Sequence, residues 1–236
     1  MIIVIPTFNE ADSIEKVLER TVKAVEGDVL VIDDHSTDGT KEIVERFLRR
    51  GRTFLIERPS KLGLGTAYVE GFHWGLARGY HLFVEMDADL SHDPAILPDF
   101  RKKIEEGFDM VIGSRYVDQK IRVVGWDFRR LLLSRWGNFY IRRLTPLKHF
   151  TDVTSGFRCY TRNALERVDL NSIRSNGYAF QIEMVYRGFQ AGLRIAEIPI
   201  IFYERDGGVS KMGGGDIREA FFLPFRLRLD RALKGR

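Results

Sequence analysis

Apolar runs alternate with segments of helical period through the first half of this chain, and that order restricts the fold more than any other feature. Ile2–Ile5, Val29–Ile32, Phe54–Glu57, His81–Met86 and Phe108–Ile112 read as strands. Between them Ile14, Val17, Leu18, Val22 and Val25 recur at helical spacing behind Asp12, a residue type that caps helices. A second helix carries Ile43, Val44, Phe47 and Leu48 and stops at Gly51, and Gly65–Ala77 and Pro94–Glu106 read as two more. Such a βαβα order predicts an α/β fold with a largely parallel sheet and helices on both faces.

Ligands of such sheets bind outside the carboxyl ends of the strands. Thr7, Asn9 and Glu10 follow the first strand, Asp33 and Asp34 the second, and Asp87 and Asp89 the fourth, so a site is expected along one edge. Asp87-Ala88-Asp89 is the sharpest signal. Residues two apart on a strand share a face, so both carboxylates can meet one hard cation, Mg²⁺ or Mn²⁺, with substrate phosphates as further ligands. Such triplets also arise in solvated loops, but this one stands directly behind the apolar run LFVEM. Behind the second strand, Asp38 is expected to cap a helix and Gly39 to make the turn, leaving Asp33 or Asp34 for a base or ribose. Gly63-Leu64-Gly65 fits neither a Walker loop nor a dinucleotide fingerprint. The fingerprint's place after the first strand holds PTFNE instead, which argues against a nicotinamide dehydrogenase.

Composition narrows the classes further. A chain of 236 residues, 44% hydrophobic, suits one large domain or one with an appendage. No apolar run approaches the roughly 18 residues of a membrane span, and MIIVIPT lacks a basic leader, so neither a span nor a signal peptide is expected. Cys159 is alone, which excludes an intrachain disulfide and favours the cytosol. The net charge of +4 serves solubility, a polyanion or an anionic membrane surface. No aromatic stacking platform accompanies the basic residues, so nucleic acid is not expected as a partner.

The second half is less regular. A helix is expected from about Arg129 to Leu144, a strand at Phe157–Tyr160, a helix at Tyr178–Gln190 and a strand at Leu193–Phe202. Glu204–Asp216, with five glycines, reads as a mobile loop, and Ile217–Leu233 as a helix interrupted by Pro224. Arg115, Arg129, Arg130 and Arg205 are candidate anion clamps, since guanidinium binds phosphate bidentately. Lys211 in the glycine-rich loop can close over a diphosphate. The five histidines lack metal-ligand spacing, and Phe221, Phe222 and Phe225 read as core.

Taken in order, PTFNE, VIDDHSTDGT, EMDADLSHDP, IGSRYV, TSGFRCY, GYAFQIEM and EIPIIFYERDGGVSKM resemble the family 2 glycosyltransferases that make dolichol or polyprenol phosphate mannose. The resemblance runs from Ile2 to about Met212 and implies a GT-A fold, a GDP-mannose donor and an isoprenoid phosphate acceptor. It also implies inversion to a β-linked mannose. Carried over, Pro6, Thr7, Glu10, Asp33 and Asp34 would hold the nucleoside, and Asp87 and Asp89 the metal. Arg115, Arg129 and Ser134 would hold the acceptor phosphate, while Arg205 and Lys211 reach the donor phosphates. Asp89, Arg115 and Arg129 are the expected catalytic residues. Ser91 stands where some relatives have Gln, and would ligate the metal directly or through water. Other relatives continue into transmembrane helices, so this chain resembles the short soluble type.

The implied layout is a catalytic domain over 1–215, its nucleotide-sugar half ending near 113, and a C-terminal amphipathic helix over 216–236. Phe221, Phe225, Leu229 and Leu233 recur there at four-residue spacing among Arg226, Arg228, Arg231, Lys234 and Arg236, which suits peripheral docking on the cytoplasmic face of a membrane. A membrane-embedded partner subunit is the other route to a lipid acceptor. Three rival readings stay open: a UDP-glucose donor, a soluble glycan acceptor, and a noncatalytic nucleotide-sugar-binding subunit.

Overall fold

The computed structural model describes residues 1–49, 51–204 and 214–234. Among them β1 (Ile2–Thr7), β2 (Asp28–Asp33), β3 (Thr53–Glu57) and β4 (Leu82–Glu85) alternate with α1 (Ile14–Ala24), α2 (Thr40–Leu48) and α3 (Leu64–Ala77). Next come α4 (Leu97–Glu105), β5 (Met110–Ser114), β6 (Val123–Val124), α5 (Phe128–Leu144), β7 (Arg158–Thr161) and α6 (Arg162–Val168). The chain closes with α7 (Gly177–Gln190), β8 (Ile195–Pro199), β9 (Phe202–Tyr203) and α8 (Gly214–Lys234).

Seven strands form one sheet in the order β3-β2-β1-β4-β7-β5-β8, and β6 pairs with β9 in a short ribbon. The strands are parallel except β7, which runs antiparallel between β4 and β5. From β1 the chain winds one way to β2 and β3, then returns to place β4 on the other side of β1. That reversal opens a crevice at the carboxyl ends of β1 and β4, where an open α/β sheet binds ligands.

Period-two alternation sends neighbouring residues of β1 to opposite faces, and both faces are covered. Ile2 and Val4 join the core beneath α3, α6 and α7, while Ile3 and Ile5 join the core beneath α1, α2 and α4. All four side chains are fully buried, each contributing about 1.5–3 kcal/mol. Two glycines let α3 seat on this sheet. A Cβ at Gly71 would lie 2.5 Å from Val4 Cγ1, and one at Gly75 would lie 2.6 Å from Phe83 Cε1. Gly71→Ala is expected to cost about 1–3 kcal/mol by overpacking, read as a lower denaturation midpoint. An unchanged midpoint would show that α3 does not need this close approach.

Several expectations are corrected. Ser13, not Asp12, precedes α1, and its Oγ donates to Ala88 O at 2.7 Å rather than capping the helix. Pro94–Ile96 is a separate 3₁₀ turn before α4, with Asp93 accepting from Ala95 N. The expected strand over Leu193–Phe202 breaks into β8, paired with β5, and β9, paired with β6. Pro199 ends the first ladder, because proline has no N–H to donate. Helix α8 runs unbroken through Pro224. Burial of Leu223 and Leu227, with Arg226 paired to Glu183 at 3.0 Å, offsets the missing hydrogen bond. Residues 214–216, expected in a loop, begin that helix, and 205–213 lie outside the described residues. Phe221, Phe222 and Phe225 are exposed rather than core.

Candidate active site

The loops behind β1 and β2 are tied together by short polar side chains. Asn9, in the left-handed region at φ 55°, accepts from Thr37 N at 2.9 Å, while its own N–H donates to Ser36 Oγ. Asp33 accepts from Thr7 Oγ1 at 2.7 Å and from Ser36 N and Oγ, so its buried carboxylate holds the loops. Asp34 turns toward the crevice, paired with Arg58 and accepting from Gly63 N. Asp38 accepts from Thr40 N at the start of α2, but the cap position expected of it falls to Gly39, which makes the turn at φ 96°.

Asp87 and Asp89 lie just past the end of β4, in a turn completed by Leu90 at φ 64°. Ala88 is buried between them and both carboxylates face the crevice. Two side chains hold Asp87: Tyr68 Oη donates to Oδ1 at 3.2 Å, and His92 Nδ1 accepts from its N–H at 3.1 Å. His92 is buried and stacked on Phe157, and burial lowers its pKa, so Nε2 carries the proton 3.9 Å from Asp87 Oδ2. Asp89 accepts from Ser91 N at 3.0 Å. The Ser91 hydroxyl is buried behind the turn and does not line the crevice.

Behind β5, Arg115 is buried and forks onto Asp152, Nε to Oδ2 at 2.6 Å and Nη2 to Oδ1 at 2.7 Å. Burial alone would raise the Asp152 pKa, but the Arg115 charge and hydrogen bonds hold it below the usual carboxylate range. Arg115 also lies under the rings of Trp126 and Phe202. Arg130 pairs with Glu204 at 3.0 Å and stacks on Trp126, whereas Arg129, one residue earlier on α5, points to solvent. Ser134 Oγ shares a 2.7 Å hydrogen bond with Tyr116 Oη.

These groups surround one cavity of about 530 Å³. Pro6, Thr7, Glu10 and Asp34 line one end, and Asp87, Asp89, Arg115 and Ser134 line its middle. Asp33, Ser91 and Arg129 do not line it, and Arg205 and Lys211 lie outside the described residues. Beyond Ser134 the walls become apolar, with Tyr140 and Ile141 from α5, Ile182 from α7 and Phe221 from α8. The cavity also includes Phe8, Lys61, His92 and Tyr178, to which sequence reading assigned no role. Phe8, His92 and Tyr178 had a usable signal in PTFNE, EMDADLSHDP and GYAFQIEM, whereas Lys61 had none.

The Glycosyl transferase family 2 model matches residues 2–169, most of the chain. The chain belongs to that family. Within family 2, a polyprenol monophosphomannose synthase from Mycolicibacterium smegmatis is 43% identical, covering 98% of this chain and 89% of its own length. An undecaprenyl-phosphate mannosyltransferase from Micrococcus luteus is 44% identical, covering 92% of this chain and 89% of its own. Among solved structures, glucosyl-3-phosphoglycerate synthase from Mycobacterium tuberculosis, in complex with Mn²⁺, UDP-glucose and phosphoglyceric acid, superposes with a TM-score of 0.69. It is 21% identical, covering 98% of this chain and 78% of that one, and the likeness establishes a shared GT-A fold. In this family 2 enzyme the cavity lies at the switch point of a mixed, mostly parallel sheet.

Proposed function

We propose that this family 2 enzyme transfers mannose from GDP-mannose to a polyprenyl phosphate, inverting the anomeric centre. The observation that carries the reading is a single cavity joining an acidic turn, Asp87 to Asp89, to an apolar channel between α5 and α8. One end suits a nucleoside diphosphate sugar, the other a hydrocarbon tail, and both named relatives at 43–44% identity use an isoprenoid phosphate and mannose in their names.

Asp87 and Asp89 form a donor set that fits a hard divalent cation, Mg²⁺ or Mn²⁺, since such ions take one or two carboxylates together with substrate phosphates. When bound, that cation supplies Lewis-acid stabilisation to the departing nucleoside diphosphate. Tyr68 and His92 hold Asp87 in place for it. An isoprenoid phosphate is already anionic at neutral pH, so no carboxylate of the site has to take a proton from it. What the chain must supply is orientation. Arg115, clamped by Asp152, and Arg130, braced by Glu204, set positive charge on the cavity wall beside the Ser134 hydroxyl. There they hold the acceptor oxygen against the sugar.

Among the described residues no helix is long and apolar enough to cross a membrane. The lipid acceptor is reached instead through an exposed apolar face beside the channel. Phe128, Leu132 and Phe139 on α5 are 76%, 58% and 63% exposed, and Phe222, Phe225 and Leu229 on α8 are 55%, 52% and 61% exposed. A patch of this kind on a chain with net charge +4 fits peripheral contact with the cytoplasmic face of an anionic membrane. Purified protein is expected to cosediment with anionic vesicles. There it should transfer mannose from GDP-mannose to embedded polyprenyl phosphate when Mg²⁺ or Mn²⁺ is added. Transfer from UDP-glucose instead would overturn the donor, and transfer to neither would overturn the enzyme reading.

A further inference from the structure

Gly137 stands inside α5, and the packing of the protein does not account for it. Glycine in a helix interior is less favourable than alanine, because it leaves more backbone freedom to be lost on folding. Gly71 and Gly75 of α3 are required by close approach to the sheet. At Gly137 the situation is the reverse: an added Cβ would meet no atom within 4 Å. The position could carry a side chain and carries none.

Its surroundings supply a reason. Gly137 lines the cavity, and so do Arg130, Ser134 and Ile141 of the same helix. Residues spaced by three and four share one face of a helix, so these four form one strip of wall. Arg130 and Ser134 make its polar part, and Ile141 its apolar part, in a cavity that Ile182 and Phe221 also line. Gly137 falls where the wall changes character, about 4.5 Å along the axis from Ser134. Trp136, Tyr140 and Phe221 stack in series beside it, with centroids 5.4 and 5.1 Å apart, and bridge α5 to α8.

We propose that Gly137 is a specificity-determining residue, whose missing side chain makes room for the isoprene units of the acceptor that follow the first. This rests on the polyprenyl phosphate reading and adds a gauge to it. A side chain at 137 enters the channel and not the protein core, so it obstructs the tail without disturbing the fold.

The test compares wild type, Gly137→Ala and Gly137→Leu on acceptors of increasing length, from dimethylallyl phosphate with one isoprene unit to farnesyl phosphate with three. For Gly137→Leu the KM for farnesyl phosphate is expected to rise at least about tenfold. Its kcat/KM for dimethylallyl phosphate and its KM for the donor should stay within about twofold of wild type. Gly137→Ala should raise the Tm by about 2 °C, with a smaller rise in the KM for farnesyl phosphate. An equal loss on both acceptors would overturn the proposal, because it would mean damage to the phosphate site or the fold. No loss on farnesyl phosphate would overturn it too. Wild type that transfers to neither acceptor removes the underlying reading, whereas active wild type with an unaffected Gly137→Leu removes only the gauge.

Discussion

Asp89→Ala is expected to lower kcat/KM for mannosyl transfer by about 10³-fold or more while the protein stays folded. The carboxylate lines the cavity and accepts a hydrogen bond from Ser91 N, an interaction worth about 1 kcal/mol to stability. Its proposed work is on the cation, and losing that charge stabilisation removes several kcal/mol from the transition state, about tenfold in rate for each 1.4 kcal/mol. Calorimetry supplies the independent readout. Wild type should bind GDP more tightly with Mn²⁺ than without, and Asp89→Ala should lose that difference. A variant that keeps both its rate and its metal-linked affinity would remove Asp89 from the site. Asp33→Ala offers the contrast: Asp33 is buried, braces Thr7 and Ser36, and does not line the cavity, so its loss should appear first in stability.

The second large effect is expected at Asp152, a residue with no part in any motif. Asp152→Ala leaves the buried Arg115 guanidinium without its partner, and breaking a buried pair costs about 3–5 kcal/mol. The expected result is a lower denaturation midpoint together with loss of transfer, since Arg115 would no longer be held on the cavity wall. Asp152→Asn keeps the shape and part of the hydrogen bonding, so it should fold better yet still transfer slowly. The pH dependence follows from the same pair. Asp152 has a folded pKa depressed below its unfolded value of about 3.9. Its contribution is therefore present above that unfolded value and fades as pH falls through the lower folded one. Acid unfolding of wild type should include this loss, and the Asp152→Asn profile should be flatter over the same acid range. Equal slopes would show that the pair adds nothing to stability.

These two residues mark the boundary between what could be read and what could not. Asp89 was legible because its signal is local: an apolar strand, then carboxylates at its carboxyl end, in a chain whose βαβα order predicts where ligands gather. The same logic placed Thr7 and Glu10 on the cavity and left Asp33 and Asp34 as alternatives, because two adjacent acids after one strand look alike until their partners are known. Asp152 and Arg115 stand 37 residues apart, and nothing in either neighbourhood announces their pairing. Arg129 and Arg130 are adjacent and chemically identical, so only the rotation of α5 decides that Arg130 faces the cavity. Tyr68 and His92 lie on elements read as ordinary helix and loop, and their contact with Asp87 exists only once α3 has packed on the sheet.

Local patterning was enough to read the alternation of strands and helices, the edge on which the cavity opens and carboxylates that line it. Those features follow from periodicity and from residues within a few positions of one another. Long-range packing sets the antiparallel insertion of β7, the passage of α8 through Pro224, the clamping of Arg115 and the open space at Gly137. Each depends on burial and pairing between segments distant in the chain, where the free energy of packing overrides the preference of any single residue.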